Sequence, residues 1–247
     1  MSKILVIGES CKDVFCYGKV ERLCPAAPAP VFNSLEIKEN GGMAKNVQNN
    51  LLSLNNKVDI LTNENWENIL KTRYVHVDSN HMFIRVDTND KNYGILEKKF
   101  INSIDLSSYD TLVVSDYNKG YLTKELLYEI SLLHNLTFLD TKKQLGPWCE
   151  NFTFIKINSK EYEANKTNLN EKLANNLIVT RGPNGCAYQN KIYPVSKVEI
   201  RDTSGAGDTF LSGLVSDYCK SLDIESAIMF ANECATKVVQ KKGVSEL

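Results

Sequence analysis

Short unbroken runs of apolar residues alternate along this chain with stretches whose apolar positions repeat at helical spacing. The first run, Ile4-Leu5-Val6-Ile7, ends at Gly8 and Glu9. Consecutive apolar positions without polar alternation describe a strand buried on both faces, as in a parallel sheet covered by helices. The pattern returns at Val58 to Leu61, Thr111 to Ser115, Thr137 to Asp140, Phe154 to Ile157 and Leu177 to Thr180. Between these runs, Val47, Leu51, Leu52 and Leu54 share one helical face, as do Phe210, Leu211, Leu214, Val215 and Tyr218. Thr123 to Leu133 reads as a further helix with Thr123 as its N-cap. Alternating strands and helices predict an α/β fold, a doubly wound and mostly parallel sheet flanked by helices. Cys186 to Tyr188 and Lys191 to Tyr193 add a hairpin turning at Gln189-Asn190. No linker, repeat or low-complexity tract divides the chain, so a single domain over 1–247 is expected.

Two stretches depart from this rhythm. From Val14 to Asn40 only short β-like pieces remain, Val14 to Tyr17 and Val31 to Ile37, around Pro25, Pro28 and Pro30. Prolines exclude a central helix or strand, so this part reads as an exposed excursion of the kind that forms a lid. Arg73 to Val77 and Met82 to Asp87 read as a second hairpin, with Asp78-Ser79-Asn80 as its turn. The hairpin reads as part of a half-buried sheet and a partner for the excursion, the two segments spanning roughly 14–40 and 72–100. Asn63 to Lys71, between them, is polar and holds at most one or two helical turns.

Composition narrows the function classes. The 247 residues are 43% hydrophobic and 24% charged, ordinary values for a globular protein. A net charge of −1 leaves no basic footprint for nucleic acid. Seven cysteines with no CxxC pair argue for reduced thiols in a cytoplasmic protein, against both a disulfide framework and a zinc site. The apolar run at the N-terminus is too short for a signal-peptide core or a membrane span.

Candidate chemistry gathers at the ends of the apolar runs, where α/β sheets bind ligands. Arg201-Asp202-Thr203-Ser204-Gly205-Ala206-Gly207-Asp208 leads into the Phe210 helix. The glycines let a ligand approach the backbone closely, and the free N–H groups of a helix start attract phosphate. Asp208 would repel that phosphate, so it is expected to meet a substrate proton or a metal; a capped turn with a first-turn acid is the plainer reading. Asp13 lies past the first strand, as a ligand or as a solvated acid. Gly41-Gly42 opens a helix, and Lys45 and Asn46 there are able to donate to hydroxyls or phosphate. Lys71, Arg73 and Arg85 either present positive charge to an anionic substrate or form a solvated strand face. Asn158 and Glu161 share a helix start, which suits both a hydrated Mg²⁺ and a plain capping box. Arg181-Gly182-Pro183-Asn184-Gly185 is a Gly- and Pro-rich turn after the Leu177 strand.

Taken together, Gly41-Gly42, Asn158 to Glu161, Thr180 to Gly185 and Asp202 to Asp208 resemble the motifs of the ribokinase-like (PfkB) carbohydrate kinases, over nearly the whole chain. Cys24 to Val31, Phe83 to Asp87, Val114 to Gly120 and Asp140-Thr141-Lys142 are similar to the heptose 7-phosphate kinases within that family. The resemblance implies an ATP-dependent sugar kinase with Mg²⁺ and a ribokinase-like fold. It implies Asp208 as general base and Gly205, Ala206 and Gly207 as the anion hole. Asp13, Gly41, Gly42, Asn46, Arg85 and Lys142 would meet the sugar. Asn158, Glu161, Thr180, Gly182, Gly185 and Asn232 would meet ATP, with Asn158 and Glu161 ordering Mg²⁺ through water. Asp202 and Thr203 fall where many members hold a monovalent cation such as K⁺, and the lid is where many relatives form a homodimer.

The chain departs from the family between Leu61 and Lys71, which is short, and at Met43 and Lys45, where small residues are usual. Kinases for fructose, ribose or a nucleoside and a catalytically idle binding protein remain alternatives. A Rossmann oxidoreductase fares worse, because Gly8-Glu9-Ser10 begins no Gly-x-Gly-x-x-Gly.

Overall fold

The computed structural model describes residues 1–241 and 243. Its first elements are β1 (Lys3–Gly8), β2 (Ser10–Leu23), β3 (Pro30–Met43), α1 (Ala44–Ser53), β4 (Lys57–Leu61), β5 (Leu70–His76) and β6 (Met82–Thr88). α2 (Lys98–Asn102), β7 (Thr111–Asp116), α3 (Lys124–Leu133), β8 (Thr137–Thr141), β9 (Phe154–Asn158), α4 (Ser159–Asn165) and α5 (Glu171–Asn176) follow. β10 (Leu177–Thr180), β11 (Cys186–Tyr188), β12 (Lys191–Tyr193), α6 (Ala206–Ser221) and α7 (Ile224–Val238) complete the order.

Eight strands make one sheet in the order β12-β11-β10-β9-β8-β7-β1-β4. All neighbours from β4 to β10 are parallel, and only the β10-β11-β12 edge is antiparallel. The unbroken apolar runs are explained by burial on both faces. Leu5 and Ile7 of β1 join Leu112, Val114 and the α3 residues Leu127 and Ile130 on one side. Ile4 and Val6 join Val113, Phe138 and the α6 residues Phe210, Leu211 and Leu214 on the other. Helices therefore cover both faces of a parallel sheet, the doubly wound arrangement. Thr123 caps α3 by accepting from the Leu126 N–H at 3.2 Å. Among the described residues, no helix is long and apolar enough to cross a membrane.

The second sheet has four strands in the order β3-β2-β5-β6. Its strands differ from the short pieces expected at Val14 to Tyr17 and Val31 to Ile37, since β2 and β3 each run 14 residues. The prolines do not interrupt them because Pro25 and Pro28 sit in the turn. Pro30 is the first residue of β3, an edge strand, paired with Leu23. A proline is tolerated there because no ladder hydrogen bond is lost.

Register gives this sheet two unlike faces. Asp13, Lys71 and Asp87 stand in one row, and Phe15, Arg73 and Arg85 in the next, all on one face. Ile37, Cys16, Tyr74 and Ile84 form a row on the opposite face, where Ile37 is 60% and Ile84 56% exposed. The charged face turns toward the loop before α6. The Asn80 side chain donates to the Arg201 carbonyl at 2.7 Å, and the Tyr17 hydroxyl lies against Gly243.

Candidate active site

Asp208 occupies the first turn of α6, below Gly205, whose φ of 78° is left-handed and whose side opens no cap to the helix. No side chain caps the helix start: the Ala206 N–H donates to the Thr203 carbonyl at 3.3 Å, and Gly205 and Gly207 border a cleft. Asp208 is buried, and both carboxylate oxygens have a donor. Asn46 Nδ2 reaches Oδ2 at 2.8 Å, and the Tyr117 hydroxyl reaches Oδ1 at 2.7 Å. Burial pushes the Asp208 carboxyl up to about 6; the bonds from Asn46 and Tyr117 hold it down, Asp140 raises it, and Lys156 lowers it. A carboxylate in that range is ionised at neutral pH and is still able to take a proton.

Lys156 is buried in the middle of β9 and donates to Asp140 Oδ2 at 2.7 Å. A Cβ added to Gly207 would sit 2.9 Å from the Lys156 ammonium, so this cation lies directly behind the glycines. Lys142 crosses to Glu161 Oε1 at 2.6 Å and lies 5.4 Å from the centre of the Tyr117 ring. Burial alone would lower the Lys142 ammonium, but Asp140 and Glu161 outweigh it and hold it above the usual lysine value. Asp140, Lys142, Lys156, Asn158 and Asp208 line a cleft of about 610 Å³.

An adjoining, more apolar cleft of about 570 Å³ shares Thr180, Gly182, Thr203 and Gly207 with the first. Phe210, Ile200, Val239 and Asn232 form its walls. Its two turn glycines differ in kind. Gly182 (φ 55°) has open space where a Cβ would stand, whereas a Cβ on Gly185 (φ 76°) would meet the Tyr193 carbonyl at 2.0 Å. Gly182 therefore borders the cleft, while Gly185 lets the β11–β12 hairpin pack. Asn232 donates to the Tyr193 carbonyl at 3.0 Å and braces the same hairpin.

Beyond Asp208, Asp13 is 6% exposed and takes Arg73 Nη1 at 2.5 Å. Gly42 lies so close that a Cβ there would meet Asp13 Oδ2 at 2.4 Å. Next in the row, Lys71 and Lys119 converge on Asp90, at 3.2 and 2.5 Å. Arg85 stands on the same face one strand further out, 48% exposed, with its guanidinium turned to Asp87. Gly41 is fitted to its own helix, since a Cβ there would strike Lys45 at 2.1 Å, and Lys45 is turned away toward the Trp66 ring.

Asn158 and Glu161 form the full capping box. Asn158 Oδ1 accepts from the Lys160 and Glu161 N–H groups, and Glu161 Oε2 accepts from the Asn158 N–H at 2.7 Å. With Lys142 on Oε1, Glu161 has both oxygens engaged. The oxygen nearby with no hydrogen-bond partner is the buried Asp140 Oδ1. Among the described residues, no three His, Cys, Asp or Glu side chains converge as a metal cage. A hydrated Mg²⁺ that arrives with phosphates needs only one or two carboxylates, and Asp140 beside Glu161 fits that need. For Asp202 and Thr203 the donor set points elsewhere. Asp202 Oδ1 accepts from the Ser204 N–H and Oδ2 from the Gly243 N–H, at 2.8 and 3.1 Å, so both oxygens have a backbone donor.

Tyr117, Lys156, Asp140 and Lys119 were not singled out as site residues by the sequence. Local signals existed for two of them. Lys156 is a lone cation inside an apolar run, and Tyr117 follows directly on a buried strand.

The fold and the site together define a doubly wound α/β architecture with an uncapped helix start at a cleft. Residues 149–247 match the model of the pfkB family of carbohydrate kinases. The C-terminal part of the chain thus carries a pfkB carbohydrate kinase family domain. The bifunctional protein HldE of Helicobacter pylori (strain HPAG1) is 31% identical over 297 aligned positions, covering 98% of this chain and 64% of that protein. That alignment is longer than the chain, so the relative carries insertions as well as a further part outside the match. A ribokinase from Thermotoga maritima superposes with a TM-score of 0.74 at 18% identity, covering 99% of this chain and 95% of the ribokinase. Arabidopsis thaliana ribokinase complexed with ribose and ATP superposes with a TM-score of 0.69 at 13% identity, over 98% and 94%. The chain has the ribokinase-like fold.

Proposed function

We propose that this chain is an ATP-dependent sugar kinase that phosphorylates a hydroxyl of a phosphorylated sugar, a heptose 7-phosphate. One observation carries the reading. Asp208, an ionisable carboxylate, is held where the sugar-side group Asn46 meets a helix start that no side chain caps. In the reaction, the acceptor oxygen bonds to the γ-phosphorus and the bond from that phosphorus to the β,γ-bridging oxygen breaks. The acceptor proton passes to Asp208. The N–H groups of Gly205, Ala206 and Gly207, backed by Lys156, stabilise charge on the transferring group, a task that is mostly positioning and electrostatics. Mg²⁺ bound with ATP would neutralise phosphate charge, held through water by Glu161 and Asn158 and by Asp140. Thr180, Gly182 and the Asn232 side of the apolar cleft would take the nucleotide, and Gly185 supports that wall.

Asp13, Gly41, Gly42 and Asn46 would take sugar hydroxyls. Support for an anionic sugar comes from the cations of the charged face, Lys71, Arg73, Lys119 and the half-exposed Arg85, together with Lys142. The four-stranded sheet would act as the lid. Its opposite, apolar face is the surface through which two copies would pair. A panel of free and phosphorylated sugars assayed for ADP release tests the assignment. A heptose 7-phosphate should give the highest kcat/KM; if no phosphosugar exceeds its unphosphorylated parent, the substrate reading fails.

A further inference from the structure

Asp208 lies at the end of one helix, but half of its environment comes from a loop that the reaction above does not use. Tyr117 begins that loop, directly after β7. Its hydroxyl donates to Asp208 Oδ1, and its ring packs beneath the Lys142 ammonium. The loop is pinned from below by Glu9, a carboxylate with no exposed surface. Glu9 accepts from the Tyr117 N–H at 2.9 Å and from the Lys119 N–H at 3.0 Å. Asn118, between them, takes a left-handed φ of 56° and donates its N–H to Asp116. Asp116 is fixed in turn by the buried Lys143 ammonium and by Thr141. A buried carboxylate with such fixed partners is a costly thing to keep unless its loop must be held in one place.

We propose that Tyr117 is a positioning residue for Asp208. Clamped by Glu9, its hydroxyl fixes the carboxylate in one rotamer and keeps it ionised, leaving the remaining lone pairs free for the acceptor hydroxyl. This rests on reading Asp208 as the proton acceptor.

The geometry limits what Tyr117 does. Burial and the neighbouring Asp208 charge hold its own hydroxyl well above the ordinary tyrosine value, so it acts as a donor and never as the base. The other groups facing Asp208 are Asn46, Asp140, Lys156 and Lys142, with Asp13 facing Tyr117 itself. Asn46 holds the second oxygen, so the pair of donors defines the carboxylate plane. A donor to an ionised acceptor favours the charged form, so losing it raises the acceptor's proton affinity.

The test is the titration of the Asp208 carboxyl, followed by carbon-13 NMR and assigned through the loss of its signal in Asp208→Asn. In Tyr117→Phe the midpoint should move up by about one pH unit. The acid limb of kcat/KM should move with it, kcat should fall about tenfold, and the KM for ATP should stay within about twofold. An Asp208 midpoint unchanged in Tyr117→Phe overturns the proposal. Should Tyr117→Phe fail to fold, a fluorinated tyrosine at 117 keeps the shape and strengthens the donor. The midpoint must then move down, and no movement again overturns the proposal. Neither titration needs turnover, so a chain that phosphorylates no sugar would sink the kinase reading while leaving Tyr117 decided on its own.

Discussion

Asn46 and Asp208 are 162 positions apart, and the Asn46 amide donates to the Asp208 carboxylate at 2.8 Å inside the protein. The contact ties the start of α1, just past Gly41-Gly42, to the start of α6. α1 and α6 lie against the same face of the eight-stranded sheet. Their N-termini therefore open on one point, where a hydroxyl bound to one helix would meet a phosphate bound to the other.

A buried carboxylate whose proton affinity is raised should make the fold less stable as it ionises. The folded Asp208 carboxyl is pushed up to about 6 by burial, above its ordinary 3.8. The cost is therefore absent below about pH 4, grows between pH 4 and 6, and is complete above. Asp208→Asn should abolish phosphoryl transfer while stabilising the protein at pH 8 by on the order of 2 kcal/mol. Near pH 4 it should give no such gain. Urea unfolding of both proteins at the two pH values checks this, and equal stability at pH 8 would contradict it.

Gly207 should be needed for chemistry and not for folding. Alanine is favoured over glycine in a helix by nearly 1 kcal/mol, but here its methyl would press on the Lys156 ammonium at 2.9 Å. Gly207→Ala is expected to keep or raise the melting temperature and to lower kcat about 10²-fold. A variant with normal turnover would remove this turn from the anion site.

The Arg73–Asp13 pair is nearly closed from solvent, with side-chain exposures of 14% and 9%. Removing one partner strands a buried charge, so Arg73→Met should cost about 3 kcal/mol, and adding Asp13→Asn should recover part of it. Denaturant midpoints of the two single variants and the double variant decide between coupling and simple addition.

The apolar face of the four-stranded sheet predicts self-association. Ile84→Glu and Ile37→Glu should yield monomers by light scattering while the melting temperature changes little, since both side chains are more than half exposed. A wild-type protein that is monomeric at every concentration would discard the pairing surface.

Much of the fold could be read locally. β1, β7, β8, β9 and β10 announce themselves as apolar runs, and the Thr123 cap and the Asn158 to Glu161 box form as their spacing requires. The length of β2 and β3 could not be read, because prolines gathered in a turn look in sequence like prolines that break strands. α5 and α2 are short and carry few apolar positions, so no periodicity marks them. The site is harder still. Tyr117 meets Asp208 across 91 positions, and Lys156 of β9 lies against Gly207 of α6, contacts that no local pattern encodes. Arg73 and Arg85 look alike in sequence, yet strand order alone gives one a buried partner and leaves the other half exposed.

The 14-residue strands β2 and β3 have their roots at Asp13 and Gly42 and their tips at Leu23 and Pro30. Paired from root to tip, with register shifts after Tyr17 and after Val20, they form one continuous arm rather than a loose flap. A ligand that orders the root and a partner that covers the outer face then act on the same lever. Occupancy at either place would change affinity at the other by the same factor, so sugar concentration would set the assembly state as surely as assembly would set sugar affinity.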